Sequence, residues 1–338
     1  MLFNISGCSN KMVTSSNKDT NLKQDNNPVE IKFDFDKTKS YVLSKCRWYD
    51  DRNVLLAFKK PGEDPYLKLF SFNIDTSASD LLYDGPFSIN YGDNILLNDQ
   101  QIGYQNAEKA IIYDKKSKSL IKEFTKPDAD KFICYSPDMK YLAEVCADGL
   151  YVTDNKSSER KKIDNNSKSY ISLVWANDNS KLLYITDQNS DISMIDISSM
   201  KKNTLYGGKD FKYPDGLVEL SWCRYLPNNS DILVSMLCEN NDAFAVLNSS
   251  KNYESNLISE NGRITIMAVS DHLILYVVDE NSSKENKLMC YNYINNNKNA
   301  VFSTTAHIVC ADFSPKGNKI IFGTYLDGKQ ELCTCQNN

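Results

Sequence analysis

The sequence predicts an all-β fold, a seven-bladed β-propeller of four-stranded antiparallel blades closed by an N-terminal strand. Three observations predict it. A cassette of turn residues returns every 40–50 residues, an apolar run follows each copy, and one alternating segment near the N-terminus has no unit of its own. Repeats of this period, each with four short strands, are the signature of propeller blades.

The cassette reads Ser136-Pro137-Asp138-Met139-Lys140-Tyr141-Leu142 and returns as Ala176-Asn177-Asp178-Asn179-Ser180-Lys181-Leu182. It returns again as Leu226-Pro227-Asn228-Asn229-Ser230-Asp231-Ile232 and Ser314-Pro315-Lys316-Gly317-Asn318-Lys319-Ile320. An aromatic residue precedes each copy: Tyr135, Trp175, Tyr225 and Phe313. Pro, Asn, Asp and Gly at the centre supply turn chemistry between two strands. Degenerate copies follow Trp48, Tyr91 and Val269, so the anchors stand at 48, 91, 135, 175, 225, 269 and 313.

The apolar runs after the anchors are 55–58, 95–98, 142–145, 182–185, 232–237, 273–278 and 320–323. Continuous apolar runs of this length suit second strands buried on both faces. Third strands alternate and end in Asp or Asn, at Asp114, Asp154, Asp196, Asn248 and Asn292. Short fourth strands are expected at 81–83, 120–124 and 257–258. The last unit lacks a fourth strand, and residues 30–35, with Ile31, Phe33 and Phe35 alternating, are expected to supply it. That pairing closes the ring and hides two sheet edges. Residues 29–338 then form the propeller. Residues 9–28 are Ser, Asn, Lys, Asp, Thr and Gln with little apolar content, the composition of a flexible tether.

Composition excludes several classes. The net charge of -5 leaves no basic footprint for nucleic acid. No apolar run is long enough for a transmembrane helix. Of ten cysteines, most sit inside apolar runs, as small buried hydrophobes do. Neither His272 nor His307 stands near a Cys pair at zinc spacing. No G-x-S-x-G elbow and no Ser-x-Asp-x-Gly-x-Thr-Trp box is present. Trp48, Trp175 and Trp222 fall at or beside core positions, and the pairs Asp84-Gly85, Asp148-Gly149 and Asp327-Gly328 read as turns.

The Ser136-Pro137-Asp138 and Ser314-Pro315-Lys316-Gly317 cassettes resemble the Ser-Pro-Asp-Gly-Lys repeats of TolB-like, or WD40-like, propellers. The resemblance covers about residues 30–338 and implies the fold, while leaving function open. The run Ile5-Ser6-Gly7-Cys8 resembles a bacterial lipobox, which implies a lipid on Cys8 and a membrane-anchored lipoprotein outside the cytoplasm; the propeller itself is expected to be a monomer. No basic residue precedes Cys8, so a cytosolic scaffold stands as an alternative.

Loops between second and third strands share one propeller face with the connections between blades. They are acidic, with Asp148, Asp187, Asp191, Glu239, Asp242, Asp279, Glu280 and Asp327 as candidate ligand-binding residues. The third-to-fourth turns, on the opposite face, carry lysines such as Lys115, Lys116, Lys118, Lys156, Lys201 and Lys202. The reading is a non-enzymatic envelope module whose acidic face meets a protein or cationic ligand. Carboxylates converging on one mouth also suit Ca²⁺, and no other cofactor is expected. The alternative is a propeller hydrolase or lyase with its active site at the channel mouth.

Overall fold

Each strand in this chain is short, and each is made by the local alternation of turn cap and apolar run. A computed structural model describes residues 28–38, 40–60, 66–87, 94–105, 109–125, 133–165, 170–186, 191–207, 218–238, 242–251, 254–280 and 285–337. Its strands form seven four-stranded sheets. Six are consecutive antiparallel meanders, at 42–86, 94–125, 133–164, 170–207, 218–259 and 263–304, numbered here as blades 1 to 6. Blade 7 takes three strands from 307–336 and its outer strand from Val29–Ile31. The expected closure therefore holds, with Val29 opposite Thr334, Glu30 opposite Cys333 and Ile31 opposite Leu332.

The closing segment does more than pair. After three ladder residues the chain leaves the sheet, and Phe33 turns into the seam between blades 7 and 1. Its ring stacks on Phe58 at 5.2 Å and meets Phe70 and Phe72 edge-on at 5.7 and 5.3 Å. The Gln330 amide spans the same seam, donating to Tyr41 O at 2.8 Å and accepting from Leu43 N at 2.6 Å.

The core is segmented rather than central. Seven apolar clusters form, one at each seam between neighbouring blades. Second strands contribute most, as their continuous apolar runs require: Val54 through Phe58 are wholly buried, as are Leu182 through Ile185. At about 25 cal/mol per Å² of apolar surface, these seams supply the main cohesion of the ring.

Turn chemistry repeats with the blades. In blades 1 to 6, the Asp or Asn that ends the third strand accepts hydrogen bonds from N–H groups two or three residues on. Asp114 takes Lys116 N and Ser117 N, Asp154 takes Lys156 N and Ser157 N, and Asn292 takes Ile294 N and Asn295 N. In the cassettes, Met139, Asn179, Asn229 and Gly317 hold the left-handed conformation, with φ of 61°, 63°, 58° and 69°. Gly suits that conformation without steric cost, and Asn tolerates it.

Two seams carry a matching polar staple. Asp164, at the end of blade 3, accepts from the buried Tyr184 hydroxyl at 2.6 Å and from Lys202 at 2.9 Å, both in blade 4. Glu260, after blade 5, accepts from Tyr276 at 2.7 Å and Lys298 at 2.9 Å, both in blade 6.

Blade 2 corrects the sequence reading. Residues expected as its second strand are its first, Asn94–Leu97, and the second strand is Gln101–Gln105. The turn between them is built on Asn98, whose side-chain oxygen accepts from Gln100 N and Gln101 N. The anchor is therefore Leu97, and Tyr91 lies outside the described residues. Asp84-Gly85 is also not a turn: both residues lie in the outer strand Ser79–Pro86, opposite Lys68 and Leu67.

Candidate functional site

Antiparallel blades put every second-to-third turn on one face and every first-to-second and third-to-fourth turn on the other. Asp148, Asp191, Asp242, Asp279, Glu280 and Asp327 all fall on the first of these faces, while Asp187, Glu239 and Cys8 lie outside the described residues. The geometry brings the six to one side of the ring but leaves two of them with local cations. Asp148 accepts from Tyr151 at 2.5 Å and Lys162 at 3.1 Å, bonds that hold its carboxyl below the usual range. Glu280 pairs with Lys287 at 2.5 Å. Asp242 accepts from Ile264 N at 3.3 Å, tying blade 5 to blade 6. Among the described residues, no three His, Cys, Asp or Glu side chains come together as a metal site.

The opposite face is less one-sided than its lysines imply. The first-to-second turns share it and add Asp50, Asp51, Asp138, Asp178, Asp231 and Asp271, with Asp51 held to Lys316 at 2.6 Å. Asp99, between the first and second strands of blade 2, belongs here too. A cleft of about 510 Å³ opens on this face between blades 3 and 4, edged by Asp138, Asp154 and Asp178. Those carboxylates already cap their own turns. Asp138 accepts from Ser136 Oγ and Lys140 N, and Asp178 from Ser180 N and Oγ.

The two histidines are set apart. His272 sits in the first-to-second turn of blade 6, and His307 opens the first strand of blade 7, Arg263–Val269 and His307–Phe313 being the strands concerned. They therefore stand on opposite faces of the ring.

The centre of the molecule holds a cluster the sequence reading missed. The last-but-one residues of the seven first strands are equivalent positions of the repeat: Arg47, Leu96, Cys134, Val174, Arg224, Ala268 and Asp312. Three members are charged. Asp312 accepts from Trp48 N at 2.9 Å, joining blade 7 to blade 1. Burial pushes its pKa up to about 6, against the pull of Arg47, the Trp48 and Phe313 N–H groups, and Arg224. Arg47 donates to Ile95 O at 2.9 Å, joining blade 1 to blade 2. Arg224 comes from blade 5, yet it feels Arg47 and Asp312 in blades 1 and 7. Burial and the Arg47 charge hold its pKa down at about 10, with Asp312 opposing. The signal was in the sequence: a position otherwise apolar carries Arg, Arg and Asp.

With the geometry in hand, comparison with known proteins adds the fold. The chain is similar to oligogalacturonate lyase from Vibrio parahaemolyticus, with a TM-score of 0.64 and 11% identity over 93% of this chain and 92% of that one. An oligogalacturonate lyase in complex with manganese gives 0.60 at 13% identity, over 87% and 88%. The Swd1 propeller domain of Myceliophteria thermophila gives 0.57 at 11% identity, over 87% and 98%. The likeness is one of fold. It bears out the propeller fold that the resemblance of the cassettes implies, a β-propeller domain being among the matching structures. No protein-family model and no curated protein matches the sequence. Among the described residues, no helix is long and apolar enough to cross a membrane.

Proposed function

We propose that this propeller is a non-enzymatic binding module, tethered at the cell envelope by a lipid on Cys8, that meets a protein or cationic ligand with its second-to-third loop face. The observation that carries the binding reading is the separation of His272 and His307 onto opposite faces. A histidine-based acid–base or metal site at a channel mouth needs its histidine and carboxylate partners on one face. Orientation supports the envelope reading. The outer strand of blade 7 begins opposite Thr334, near the end of Lys329–Gln336, so the chain enters the ring from the lysine-bearing face. A lipid anchor on that side would leave the acidic loops on the face away from the bilayer.

The test uses the folded chain and an oligolysine peptide. Binding at low salt is expected to weaken at high salt, and to weaken further in a variant carrying Asp191→Lys, Asp279→Lys and Asp327→Lys. Absence of binding at low salt ends the acidic-face proposal, and Ca²⁺ titration in the same format decides the cation. The likeness to oligogalacturonate lyase favours polyuronate cleavage as the competing reading. Release of unsaturated uronate from oligogalacturonate by the purified chain, with manganese supplied, would replace the binding reading.

A further inference from the structure

The seam that closes the ring, between blades 7 and 1, brings two cysteines side by side. Cys46 lies on the first strand of blade 1, Val42–Trp48, and Cys310 on the first strand of blade 7, His307–Phe313. The bond from Trp48 N to the Asp312 carboxylate, 2.9 Å long, sets these strands together at an offset of 264 residues, and Cys310 stands at the same offset from Cys46. Side chains two apart on a strand point the same way, so Cys310 faces blade 1 as Asp312 does. Both cysteines are buried in one apolar cluster with Leu43, Trp48 and Ile321. The Cys310 Sγ and Leu43 of blade 1 fill the space that Gly323 leaves by having no side chain.

The repeat supplies an equivalent pair. In the seam between blades 4 and 5, Ser172 stands where Cys310 stands, three residues before the end of its first strand, and Cys223 stands where Cys46 stands, two before the end. Ser172 Oγ lies 3.3 Å from Cys223 N and 3.5 Å from Cys223 O. A side chain at the first position therefore reaches the residue at the second across the seam.

We propose that Cys46 and Cys310 form a disulfide that locks blade 7 to blade 1, with a low-molecular-weight disulfide as oxidant. The thiolate of one cysteine attacks a sulfur of that disulfide and displaces one small thiolate. The thiolate of the other cysteine then attacks the mixed disulfide and displaces the second. The protein thiols give up two protons and two electrons, and the small disulfide becomes two thiols. Burial, with the hydrogen bond to Cys310, pushes the Cys46 thiol up, so the closed ring holds little thiolate. The bond therefore forms as the ring closes during folding. Its loop takes in most of the propeller, and long loops constrain the unfolded chain most. The lock rests neither on the anchor at Cys8 nor on the acidic loops.

The test refolds the full chain from urea in a buffer of reduced and oxidised glutathione. Free thiols are then blocked with N-ethylmaleimide under denaturing conditions, and peptides are mapped by mass spectrometry without reduction. A peptide holding Cys46 joined to one holding Cys310 is the expected product. The oxidised chain is expected to melt at a higher temperature than the same chain reduced with dithiothreitol, and Cys46→Ser and Cys310→Ser are each expected to remove that difference. Because either variant could lose the fold, the wild-type peptide map is a readout of its own. Recovery of both cysteines as maleimide adducts after refolding overturns the pair, and so does a preferred link from either one to Cys333, Cys335 or another cysteine. A linked chain that melts with the reduced one overturns the lock.

Discussion

Asp312 shows how one side chain at the axis can set a property of the fold. Its pKa in the folded chain, about 6, lies above the ordinary carboxylate value because burial outweighs Arg47 and the N–H donors. The folded state therefore binds the proton more tightly than the unfolded state. The sign follows: stability falls as pH rises from about 4 to about 6, and the cost at neutral pH is on the order of 3 kcal/mol. Asp312→Asn retains an oxygen to accept from Trp48 N and cannot ionise. The expected outcome is a flatter stability profile between pH 4 and 6 than wild type shows, measured by urea unfolding at a series of pH values. Parallel profiles would mean that Asp312 is not the titrating group. The carboxylates of the surface turns behave oppositely: Asp196, held down at about 2 by the Ser198 hydroxyl and the Ser199 N–H, favours the fold until acid protonates it. Sequence reading marked the Asp and Asn residues that end the third strands and missed the axial cluster for one reason. A cap meets its partner two or three residues on, as Asp114 meets Ser117, whereas Arg224 meets groups in blades 1 and 7 that no local pattern joins to it.

Among elements, the strand ladder was legible wherever a turn and an apolar run stood side by side. Blade 2 was misread because Tyr91-Gly92-Asp93-Asn94 imitates the cassette, while the true turn, Asn98-Asp99-Gln100-Gln101, has neither Pro nor Gly. Its physical signal is the side-chain cap. Asn98 accepts from Gln100 N and Gln101 N as Asp50 accepts from Arg52 N and Asn53 N. The acid–tyrosine–lysine staples were invisible in sequence because each joins two blades across a linker. They predict that Tyr184→Phe and Tyr276→Phe each cost about 1.5–3 kcal/mol of unfolding free energy, the worth of one hydrogen bond to a charged acceptor. The two seams are separate, so the double variant is expected to lose the sum within about 0.5 kcal/mol. Wild-type stability in both single variants would show that Lys202 and Lys298 alone hold the acids.

For the whole molecule, cohesion depends on closure. Deleting residues 29–36 removes the outer strand of blade 7 and takes Phe33 from the seam where it meets Phe58, Phe70 and Phe72. Loss of a buried Phe alone costs about 3–5 kcal/mol. Deleting residues 9–27 removes no residue of any described strand. The expected result is a much lower melting temperature for the first truncation and little change for the second, and equal melting temperatures would reject closure by this strand. The closure also has a mechanical consequence. The amino-terminal side of the chain joins the ring at Val29, on the face opposite the second-to-third loops, through three paired residues. Under the proposed anchoring at Cys8 and the proposed grip on those loops, tension would cross the entire ring and enter it by that short strand, with Phe33 as the next catch. The strand is then the fuse of the assembly: it would part first under load, leaving six complete blades and the exposed edge of Lys329–Gln336.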